Sequence, residues 1–486
     1  MVWTPAGQFA TSGLVPTSFT TANRLAELLG DWRQGGSAHE RLAATVRSLI
    51  LDGRIPLQSR LPPERALAGA IGCSRATVTF AYNRLREEGY IESRQGAGSW
   101  VALPAGHRAA TDTLLAGAGL EMRIAALPAP PALDDLARAA VGDLPRWLDH
   151  HGYDPLGLPP LREAIAARYT ARGLPTRPEQ IIVSNGALQA IDLTIRALVR
   201  RGQRALVEIP SYPAALDALR AAGARPVAVP VSAAGWDLEM LRALAREQQP
   251  ALAYLIPDHQ NPTGAVMDAS SRRRSLQDLE RAGSHVVIDE TFSELWLDGP
   301  ATAPSAPVAG ERTIIVGSLG KSVWGGLRIG WARAEPVLIG RLATARATTD
   351  MASPVLEQII ATHVLREMDA IMDERRELVR VRRAALADAL TSGLPDWRFS
   401  MPTGGLFVWA ELPGAISTSL SVRAAELGVQ ITPGPRFGQA GLLERYVRLP
   451  FALAPEQLER AVTILARAVP DATATRPPQQ PLTYVA

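Results

Sequence analysis

The chain has 486 residues with 51 basic and 48 acidic side chains, is 47% hydrophobic and contains one cysteine. This composition predicts a globular protein of more than one domain and disfavours a disordered or fibrous chain. The lone Cys73 excludes an internal disulfide, the seven histidines form no zinc-binding motif, and no apolar run reaches the ~20 residues of a membrane span. Because residues 1–20 also lack a secretory signal, we expect a cytoplasmic protein with no metal site and no membrane segment.

The first 36 residues are predicted to be an N-terminal extension. Leu25, Leu28 and Leu29 give a weak helical pattern, which ends before a glycine pair. Nothing in this segment indicates a function.

Residues 37–103 are predicted to form a winged helix-turn-helix domain. The predicted elements are helices at 40–51, 64–71 and 75–88 and short strands at 90–93 and 98–101. Residues 39–100 hold nine arginines and six acidic residues, so this unit accounts for the formal net charge of +3 of the whole chain. A positive unit of this kind suits nucleic acid.

The start of the third helix is the candidate DNA-reading end. Ser74 can cap this helix, which leaves Arg75 and Thr77 in an exposed first turn. Arginine can donate two hydrogen bonds to guanine, whereas serine and threonine hydroxyls suit phosphate. The alternative is a generic helical bundle with solvated arginines, which periodicity alone does not exclude.

Motifs at fixed spacings decide between these alternatives. They are Leu61-Pro62-Pro63-Glu64-Arg65, Ser74-Arg75-Ala76-Thr77-Val78, Glu88-Gly89 and Gln95-Gly96-Ala97-Gly98. Through these motifs, residues 39–101 resemble the GntR-type winged helix almost position by position. The resemblance implies a dimer on double-stranded operator DNA with two half-sites. The DNA contacts that it implies come from Arg65, Ser74, Arg75, Thr77, Gln95 and Gly96.

The remaining chain divides into a linker, a large domain and a tail. Residues 104–138 are rich in alanine, proline and glycine, which predicts an extended linker. Residues 139–470 alternate short β-rich runs with amphipathic helices, the pattern of a mostly parallel sheet, and include a smaller C-terminal α+β subdomain from about residue 396. Residues 471–486 are rich in proline and glutamine and are predicted to be disordered.

Lys321 is the only lysine of the chain, whereas arginine occurs 50 times. Arginine can serve as a surface cation, but it cannot lose its proton and form an imine because its pKa stays above ~12. Lys321 follows the apolar run at residues 313–316, so we expect it at the end of a strand. The alternative is an ordinary surface lysine in a loop.

Other segments supply the groups that a pyridoxal 5′-phosphate site needs. Asp289 ends a strand, where its carboxylate can pair with a protonated pyridine nitrogen, and the Asn261 amide can bond a phenolate oxygen. Tyr212 offers an aromatic face to the ring. The candidate phosphate cup is a helix start with two further polar residues, namely Asn185, Gly186, Ala187, Ser318 and Arg328. Each segment alone also has an ordinary structural explanation.

The order and spacing of these segments resemble the fold-type I aminotransferases over about residues 140–470. The resemblance implies a dimeric α/β domain that binds pyridoxal 5′-phosphate as an imine on Lys321. It also implies that Tyr153 reaches the phosphate of the neighbouring subunit and that Arg448 binds a substrate carboxylate through two hydrogen bonds. For Arg448, a structural salt bridge is an equally valid alternative.

Two features depart from the aminotransferase pattern. The family places a tyrosine two or three residues after the aspartate, where its hydroxyl bonds the cofactor, but this chain has Thr291 and Phe292 there. Phe292 has no donor, so the imine pKa and the catalytic efficiency are expected to differ. Gly320 replaces the serine that is common before the lysine, which removes a phosphate contact.

A GntR-type winged helix followed by an aminotransferase-like domain resembles the MocR subfamily of regulators. The resemblance implies a head-to-tail homodimer that regulates transcription. We expect it to sense pyridoxal 5′-phosphate, an amine or an amino acid at Lys321. The alternative is a working aminotransferase with a DNA-binding appendage. A third interpretation, a DNA-binding protein with a cofactor-free domain, predicts a colourless protein.

Overall fold

The structure is a computed structural model, in which the chain divides into two units, Met1–His107 and Arg108–Ala486. The described residues are 18–30, 32, 37–57, 59–94, 98–102, 119–299, 310–438 and 442–474.

The first unit combines helices with a small sheet. The helices are α1 (Ala22–Leu29), α2 (Ala38–Leu51), α3 (Glu64–Ile71) and α4 (Arg75–Glu87). The strands are β1 (Ser18–Phe19), β2 (Ser59–Arg60), β3 (Ile91–Arg94) and β4 (Gly98–Val101). They are ordered β1-β2-β4-β3, and β3 and β4 form an antiparallel hairpin. Helices α2 to α4 and this hairpin confirm the predicted winged helix.

Helix α4 begins at the predicted residue and ends within one residue of the prediction. The Thr77 amide donates a hydrogen bond to Ser74 Oγ at 3.1 Å, which satisfies one of the free amides of the first turn. Tyr82 and Leu85 lie on the buried face, as the helical period requires. The exposed face begins at Arg75.

The structure corrects the predicted N-terminal extension. Strand β1 pairs in parallel with β2, Leu25 is fully buried, and Leu29 and Trp32 are nearly so. The four-residue spacing of Leu25 and Leu29 puts both on one face of α1, which packs against α2 and α3. Residues 18–30 therefore belong to the first unit, and residues 1–17 lie outside the described residues.

The second unit combines a large sheet, a smaller sheet and many helices. The strands are β5 (Leu120–Met122), β6 (Ile181–Ser184), β7 (Arg204–Ile209), β8 (Arg225–Ser232), β9 (Gly235–Trp236), β10 (Leu252–Leu255), β11 (His285–Asp289), β12 (Thr313–Ser318), β13 (Gly330–Arg333), β14 (Arg398–Phe399), β15 (Phe407–Glu411), β16 (Val429–Pro433) and β17 (Tyr446–Pro450). The helices are α5 (Ala132–Asp143), α6 (Pro159–Ala171), α7 (Ala187–Leu198), α8 (Pro213–Ala221), α9 (Leu238–Gln248), α10 (Ala269–Arg281), α11 (Leu319–Ser322), α12 (Pro336–Arg346), α13 (Val355–Arg366), α14 (Met368–Gly393), α15 (Ser417–Glu426) and α16 (Pro455–Ala474).

In the described part of this unit, the large sheet is ordered β6-β13-β12-β11-β10-β7-β8-β9. The central strands β12, β11, β10, β7 and β8 run parallel, as predicted, whereas β13 is antiparallel to both of its neighbours. Helices cover both faces, so β11 sends Val286 into one hydrophobic core and Val287 into the other. The carboxyl ends of the central strands share one edge, where Asp289 ends β11 and Ser318 ends β12.

The smaller sheet, ordered β14-β15-β17-β16-β5, confirms the α+β subdomain and corrects the predicted linker. Its edge strand β5 pairs in parallel with β16, and Met122 is fully buried. Both β5 and the start of α5 fall within residues 104–138. This stretch is therefore not an extended linker from β5 onward, because its apolar residues are buried by the subdomain. Residues 103–118 lie outside the described residues.

Helix α16 runs to Ala474, past the predicted domain end at residue 470. Arg423 Nε donates to the Asp471 carboxylate at 2.9 Å, and Ala472 is buried. These contacts correct the predicted start of the disordered tail. Residues 475–486 lie outside the described residues.

None of the helices in the described residues is both long enough and apolar enough to cross a membrane. In the same residues, no group of three or more His, Cys, Asp or Glu side chains is placed to hold a metal ion.

Candidate functional site

A cavity of about 250 Å³ lies at the carboxyl ends of the central strands. This edge is where parallel α/β sheets commonly bind ligands. The cavity is lined by eight of the residues predicted from the sequence, namely Gly186, Ala187, Tyr212, Asn261, Asp289, Ser318, Lys321 and Arg328. Apolar residues, among them Ile124, Ile256 and Phe292, complete its walls.

Lys321 lies in α11, directly after β12. Burial lowers the pKa of the Lys321 ammonium to about 7, and the positive charges of Arg448 and Arg328 act in the same direction, whereas the Asp289 carboxylate opposes them. A large share of Lys321 is therefore an uncharged amine at neutral pH. This is the form that attacks an aldehyde, so Lys321 is suited to act as a nucleophile.

The Asp289 carboxylate is held by donors from two residues. Its Oδ2 accepts a hydrogen bond from Tyr254 Oη at 2.6 Å, and its Oδ1 accepts from the Thr291 amide at 2.9 Å and from the Thr291 hydroxyl. Burial raises the pKa of Asp289, while these hydrogen bonds act to lower it. The carboxylate is thus an acceptor of fixed orientation on the cavity wall.

Thr291 and Phe292 do not replace the missing tyrosine. The Thr291 hydroxyl donates to Asp289, and Phe292 packs edge-on against Phe407 with ring centroids 5.2 Å apart. The hydroxyl beside Asp289 belongs instead to Tyr254, which the sequence analysis missed. A signal was present, because a tyrosine in an otherwise apolar buried strand needs a hydrogen-bond partner.

Three members of the predicted phosphate cup, Gly186, Ala187 and Arg328, lie at or beside the start of α7. Gly186 caps this helix with a φ of +90°, and a Cβ on Gly186 would lie 2.9 Å from Arg328 Nη2. A side chain there would fill the space between the helix start and the guanidinium. Arg328 Nη2 donates to the Asn185 carbonyl at 2.7 Å, which fixes the arginine beside the positive end of the helix.

The two other predicted members of the cup differ in position. Ser318 lines the cavity, where its Oγ donates to the Ile329 carbonyl at 3.0 Å and accepts from the Gly320 amide at 2.9 Å. Asn185 is not among the lining residues, and its Nδ2 donates to Asp350 Oδ2 at 2.5 Å. The Asn185 side chain therefore braces the helix start from outside the cavity.

Arg448 lies next to the cavity and is not among its lining residues. It is fully buried, Nη1 donates to Asn261 Oδ1 at 3.3 Å, and Nη2 donates to the Arg123 carbonyl. Among the described residues no carboxylate pairs with Arg448, so the salt-bridge alternative finds no partner there. Burial lowers the pKa of Arg448 to about 9, as expected of a cation without a nearby anion.

Tyr153 is not among the residues that line the cavity of its own chain. Its side chain is 59% exposed and stacks on His151 with ring centroids 6.0 Å apart. The structure contains a single chain, so the predicted contact with a neighbouring subunit stays a prediction.

The predicted DNA-reading residues of α3 and α4 lie at exposed or partly exposed positions. Arg65 is exposed, and the Arg75 side chain is 71% exposed with its Nε 3.7 Å from Glu64 Oε2. The Ser74 and Thr77 hydroxyls lie 2.8 Å apart at the helix start. The predicted wing contacts, Gln95 and Gly96, lie outside the described residues.

Two other arginines of the first unit are held in ion pairs. Arg84 contacts Glu88 at 3.1 Å and Glu40 at 3.3 Å, and Arg47 contacts Glu88 at 2.7 Å. The positive charge of this unit is thus divided between arginines with acidic partners and more exposed arginines at the helix start.

Comparison with known proteins gives two family matches. Residues 38–101 match the bacterial regulatory proteins of the gntR family. Residues 149–465, more than half of the chain, match aminotransferase class I and II.

Individual relatives come from both groups. Over 435 residues the chain is 33% identical to the probable rhizopine catabolism regulatory protein MocR of Rhizobium meliloti, covering 81% of this chain and 86% of that protein. It is 35% identical over 322 residues to a 2-aminoadipate transaminase of Thermus thermophilus, covering 64% of this chain and 80% of that protein. Among solved structures, a similar one is the alpha-aminoadipate aminotransferase LysN of Thermus thermophilus, complexed with N-(5′-phosphopyridoxyl)-L-leucine. The TM-score is 0.66 at 31% sequence identity, and the match covers 73% of this chain and 93% of that chain.

Membership of aminotransferase class I and II implies pyridoxal 5′-phosphate, and the cavity fits this group. Lys321 offers an amine of lowered pKa, and Asp289 offers a buried carboxylate. Gly186 leaves a space beside Arg328 that a Cβ would fill. The match to MocR extends beyond the aminotransferase-like domain. The chain therefore belongs to the MocR subfamily of GntR-type transcription regulators, with pyridoxal 5′-phosphate as the cofactor of its aminotransferase-like domain.

Proposed function

We propose that this regulator senses an amine, an amino acid or pyridoxal 5′-phosphate itself through a covalent link at Lys321. The observation that carries the proposal is a lysine of lowered pKa in a cavity that also contains Asp289 and the Gly186 cup. When bound, pyridoxal 5′-phosphate supplies an aldehyde that condenses with a primary amine and a ring that withdraws electrons. The protein holds this group and admits an incoming amine to it.

Each cavity residue has a separate proposed role in holding the cofactor. Lys321 anchors the cofactor, and Asp289 keeps a proton on the ring nitrogen by offering it a fixed negative partner. Asn261 and Tyr212 both line the cavity, and we assign Asn261 to bond the ring oxygen and Tyr212 to stack on the ring. The phosphate is assigned to the start of α7 and its neighbours, namely Gly186, Ala187, Ser318 and Arg328, and Asn185 is assigned the role of holding this helix start from outside the cavity.

Arg448 is the proposed group for an effector carboxylate. It is buried without an acidic partner among the described residues, so a carboxylate would supply the missing negative charge. Nη1 and Nη2 each make one hydrogen bond, and Nε has no hydrogen-bond partner among the described residues, so a carboxylate is expected to bind Nε and Nη2 beside the Arg123 carbonyl. An amino acid is therefore expected to compete with the Arg123 carbonyl, which follows β5, for Nη2, whereas an amine without a carboxylate is not.

Coupling to DNA requires two states that bind the effector unequally. Strand β5 is the first described element after residues 103–118, which connect the winged helix to the aminotransferase-like domain. A rearrangement at Arg123 therefore affects the part of the chain that continues into this connection. We expect an effector to change DNA affinity by a factor of about 5 to 150, the usual range of allosteric coupling.

The proposed DNA surface is the exposed start of α4 with the neighbouring part of α3 and the wing. It comprises Arg65, Ser74, Arg75, Thr77, Gln95 and Gly96. The exposed Arg75 supports this assignment, because in the described part of the chain its guanidinium has a single ion pair to give up, with Glu64 at 3.7 Å.

We also propose a head-to-tail homodimer in which Tyr153 serves the phosphate cup of the neighbouring subunit. The side chain is exposed and does not line the cavity of its own chain. Mixing a Tyr153→Phe chain with a Lys321→Ala chain tests the assignment. Hybrid dimers should contain one site with both changes and one site with neither, so half of the sites should bind the cofactor with wild-type affinity. A mixture without such sites would contradict the proposal.

The central experiment is an absorbance screen of amines and amino acids against the purified yellow protein, coupled to binding of a DNA fragment that the protein selects. A true effector should change the absorbance and the DNA affinity at the same concentration. A compound that changes the absorbance alone is only a ligand of the cofactor.

The same screen tests the alternative function of a working aminotransferase. That activity would convert the cofactor fully to its amine form with many amino acids, and a 2-oxo acid would reverse the conversion. The regulator proposal predicts little or no such turnover, because Thr291 and Phe292 leave the position of the family tyrosine without a free hydroxyl. Full conversion with many amino acids, without an effect on DNA binding, would favour the enzyme.

A further inference from the structure

We propose that Glu208 is a positioning residue of the cofactor cavity, whose single carboxylate fixes the two chain segments that carry Tyr212 and Asn261. This inference rests on the cofactor assignment above. Glu208 lies near the end of β7, and neither the sequence motifs nor the cavity lining includes it.

The Glu208 carboxylate accepts three hydrogen bonds, one from β9 and two from the segment after β10. Its Oε1 accepts from Trp236 Nε1 at 2.7 Å and from the Ile256 amide at 3.0 Å. Its Oε2 accepts from Gln260 Nε2 at 2.9 Å. The side chain is fully buried, so no water competes for these donors.

Gln260 extends this network to both functional segments. Its Nε2 also donates to the Pro210 carbonyl at 2.8 Å, two residues before Tyr212. Its Oε1 accepts from the amide and the hydroxyl of Thr263, which closes the turn that contains Asn261. Glu208 therefore orients Gln260, and Gln260 joins the connection before α8 to the turn after β10.

Burying the Glu208 carboxylate costs free energy of folding, which argues against a role in packing alone. Among the described residues no arginine, lysine or histidine pairs with it. Burial raises the pKa of Glu208 to about 7, the three hydrogen bonds act to lower it, and the nearby Asp289 raises it further. A neutral or apolar side chain would avoid this cost but would not accept three hydrogen bonds at once.

The Glu208→Gln variant tests the role because it keeps the shape and changes one acceptor into a donor. If the new amide oxygen still accepts from Trp236 and Ile256, its NH₂ group faces the NH₂ group of Gln260. Gln260 must then turn and release the Pro210 carbonyl or Thr263. We expect cofactor affinity to fall about tenfold, which is the upper end of the effect of losing one ordinary hydrogen bond. The visible circular dichroism of the bound cofactor, which reports its asymmetric surroundings, should also change.

The chain offers a matched control in Glu335, which accepts a hydrogen bond from Gln180 Nε2 at 2.8 Å away from the cavity. The Glu335→Gln variant places an amide in the same kind of pair, so it should leave cofactor affinity and visible circular dichroism unchanged. If Glu208→Gln does not fold, Gln260→Met removes the same link and is expected to give the same two changes.

Unchanged affinity and circular dichroism in Glu208→Gln, whatever its thermal stability, would overturn the positioning role, as would equal changes in the Glu335 control. The wild-type protein separates this result from a failure of the cofactor assignment. A wild-type chain that binds no pyridoxal 5′-phosphate refutes that assignment before any variant is compared.

Discussion

The start of α4, which is the proposed DNA-reading end, and the cofactor cavity hold their charged groups in opposite ways. The Arg75 side chain is 71% exposed and lies 3.7 Å from Glu64, whereas Asp289 is 5% exposed and accepts hydrogen bonds from Tyr254 and Thr291. An exposed charge costs little to maintain and stays available to a phosphate or a base. A buried charge must be compensated in advance, and its pKa moves with its surroundings. The proposed ligand groups of the first unit are therefore exposed and available, whereas those of the second are buried and fixed.

This difference predicts different outcomes of substitution. At the helix start, a substitution should weaken binding and leave folding intact, since the side chain has few contacts to lose. At the cavity, the same kind of change removes a group on which its neighbours depend. Variants of the cavity therefore need a control for stability, and variants of the helix start need a control for charge.

The largest effect is expected from Lys321→Ala. Without the amine no covalent attachment is possible, so the yellow colour should disappear and borohydride should fix no cofactor to the chain, as measured by mass spectrometry. Lys321→Arg should behave in the same way because arginine stays protonated. Far-ultraviolet circular dichroism should show an intact fold. Cofactor fixed at another residue would contradict the assignment of Lys321.

The next largest effect is expected on DNA affinity, from substitution of the exposed Arg75 compared with the ion-paired Arg84. Arg75→Ala should weaken binding to a selected DNA fragment by about 1–3 kcal/mol, roughly 5- to 150-fold, with thermal stability unchanged. The matched control is Arg84→Ala in the same helix, since Arg84 is held by Glu40 and Glu88. It removes the same charge and should change DNA affinity about twofold at most. Equal losses in both variants would show that only net charge matters.

The sequence predicted the parts of both regions that depend on local pattern. Helices α3 and α4 could be predicted because their apolar residues recur at a helical period and because Ser74 can cap α4. The proximity of Asp289 and Lys321 could be predicted because each lies at the end of a buried strand, and the carboxyl ends of parallel strands meet at one edge of the sheet.

The parts that the sequence did not predict depend on contacts between distant residues. Strand β5 lies in an alanine- and proline-rich stretch, and only its pairing with β16 makes it a strand. Glu208 and Tyr254 look like ordinary strand residues, and their roles arise from Gln260 and Asp289, which lie far along the chain. The helical pattern of α1 can be seen in the sequence. Its packing against α2 and α3 cannot, because that pattern does not identify the surface that buries Leu25 and Leu29.

A smaller effect is expected at Arg448, and it depends on the ligand. Arg448→Lys keeps a positive charge but cannot bind a carboxylate through two parallel hydrogen bonds. Absorbance titrations should show about tenfold weaker binding of amino acid ligands and little change for amines without a carboxylate. The matched control is Arg382→Lys, where Arg382 donates to the Ala452 carbonyl away from the cavity. An equal loss for both ligand classes would indicate a structural role for Arg448.

The smallest effect is a pH dependence of cofactor attachment, and it tests whether the cavity really shifts the charge of its lysine. Burial, Arg448 and Arg328 together lower the pKa of Lys321 to about 7, and Asp289 only partly opposes them. Only the uncharged amine attacks an aldehyde, so the rate should rise about tenfold from about pH 6 to about pH 8 and then level off. Stopped-flow absorbance of the apoprotein mixed with pyridoxal 5′-phosphate measures this rate. A small-molecule amine of ordinary pKa, run in the same buffers, corrects for ionisation of the aldehyde reagent. A corrected rate that keeps rising to about pH 10 would mean that Lys321 behaves like an exposed lysine, and the contrast between the two regions would not hold for this residue.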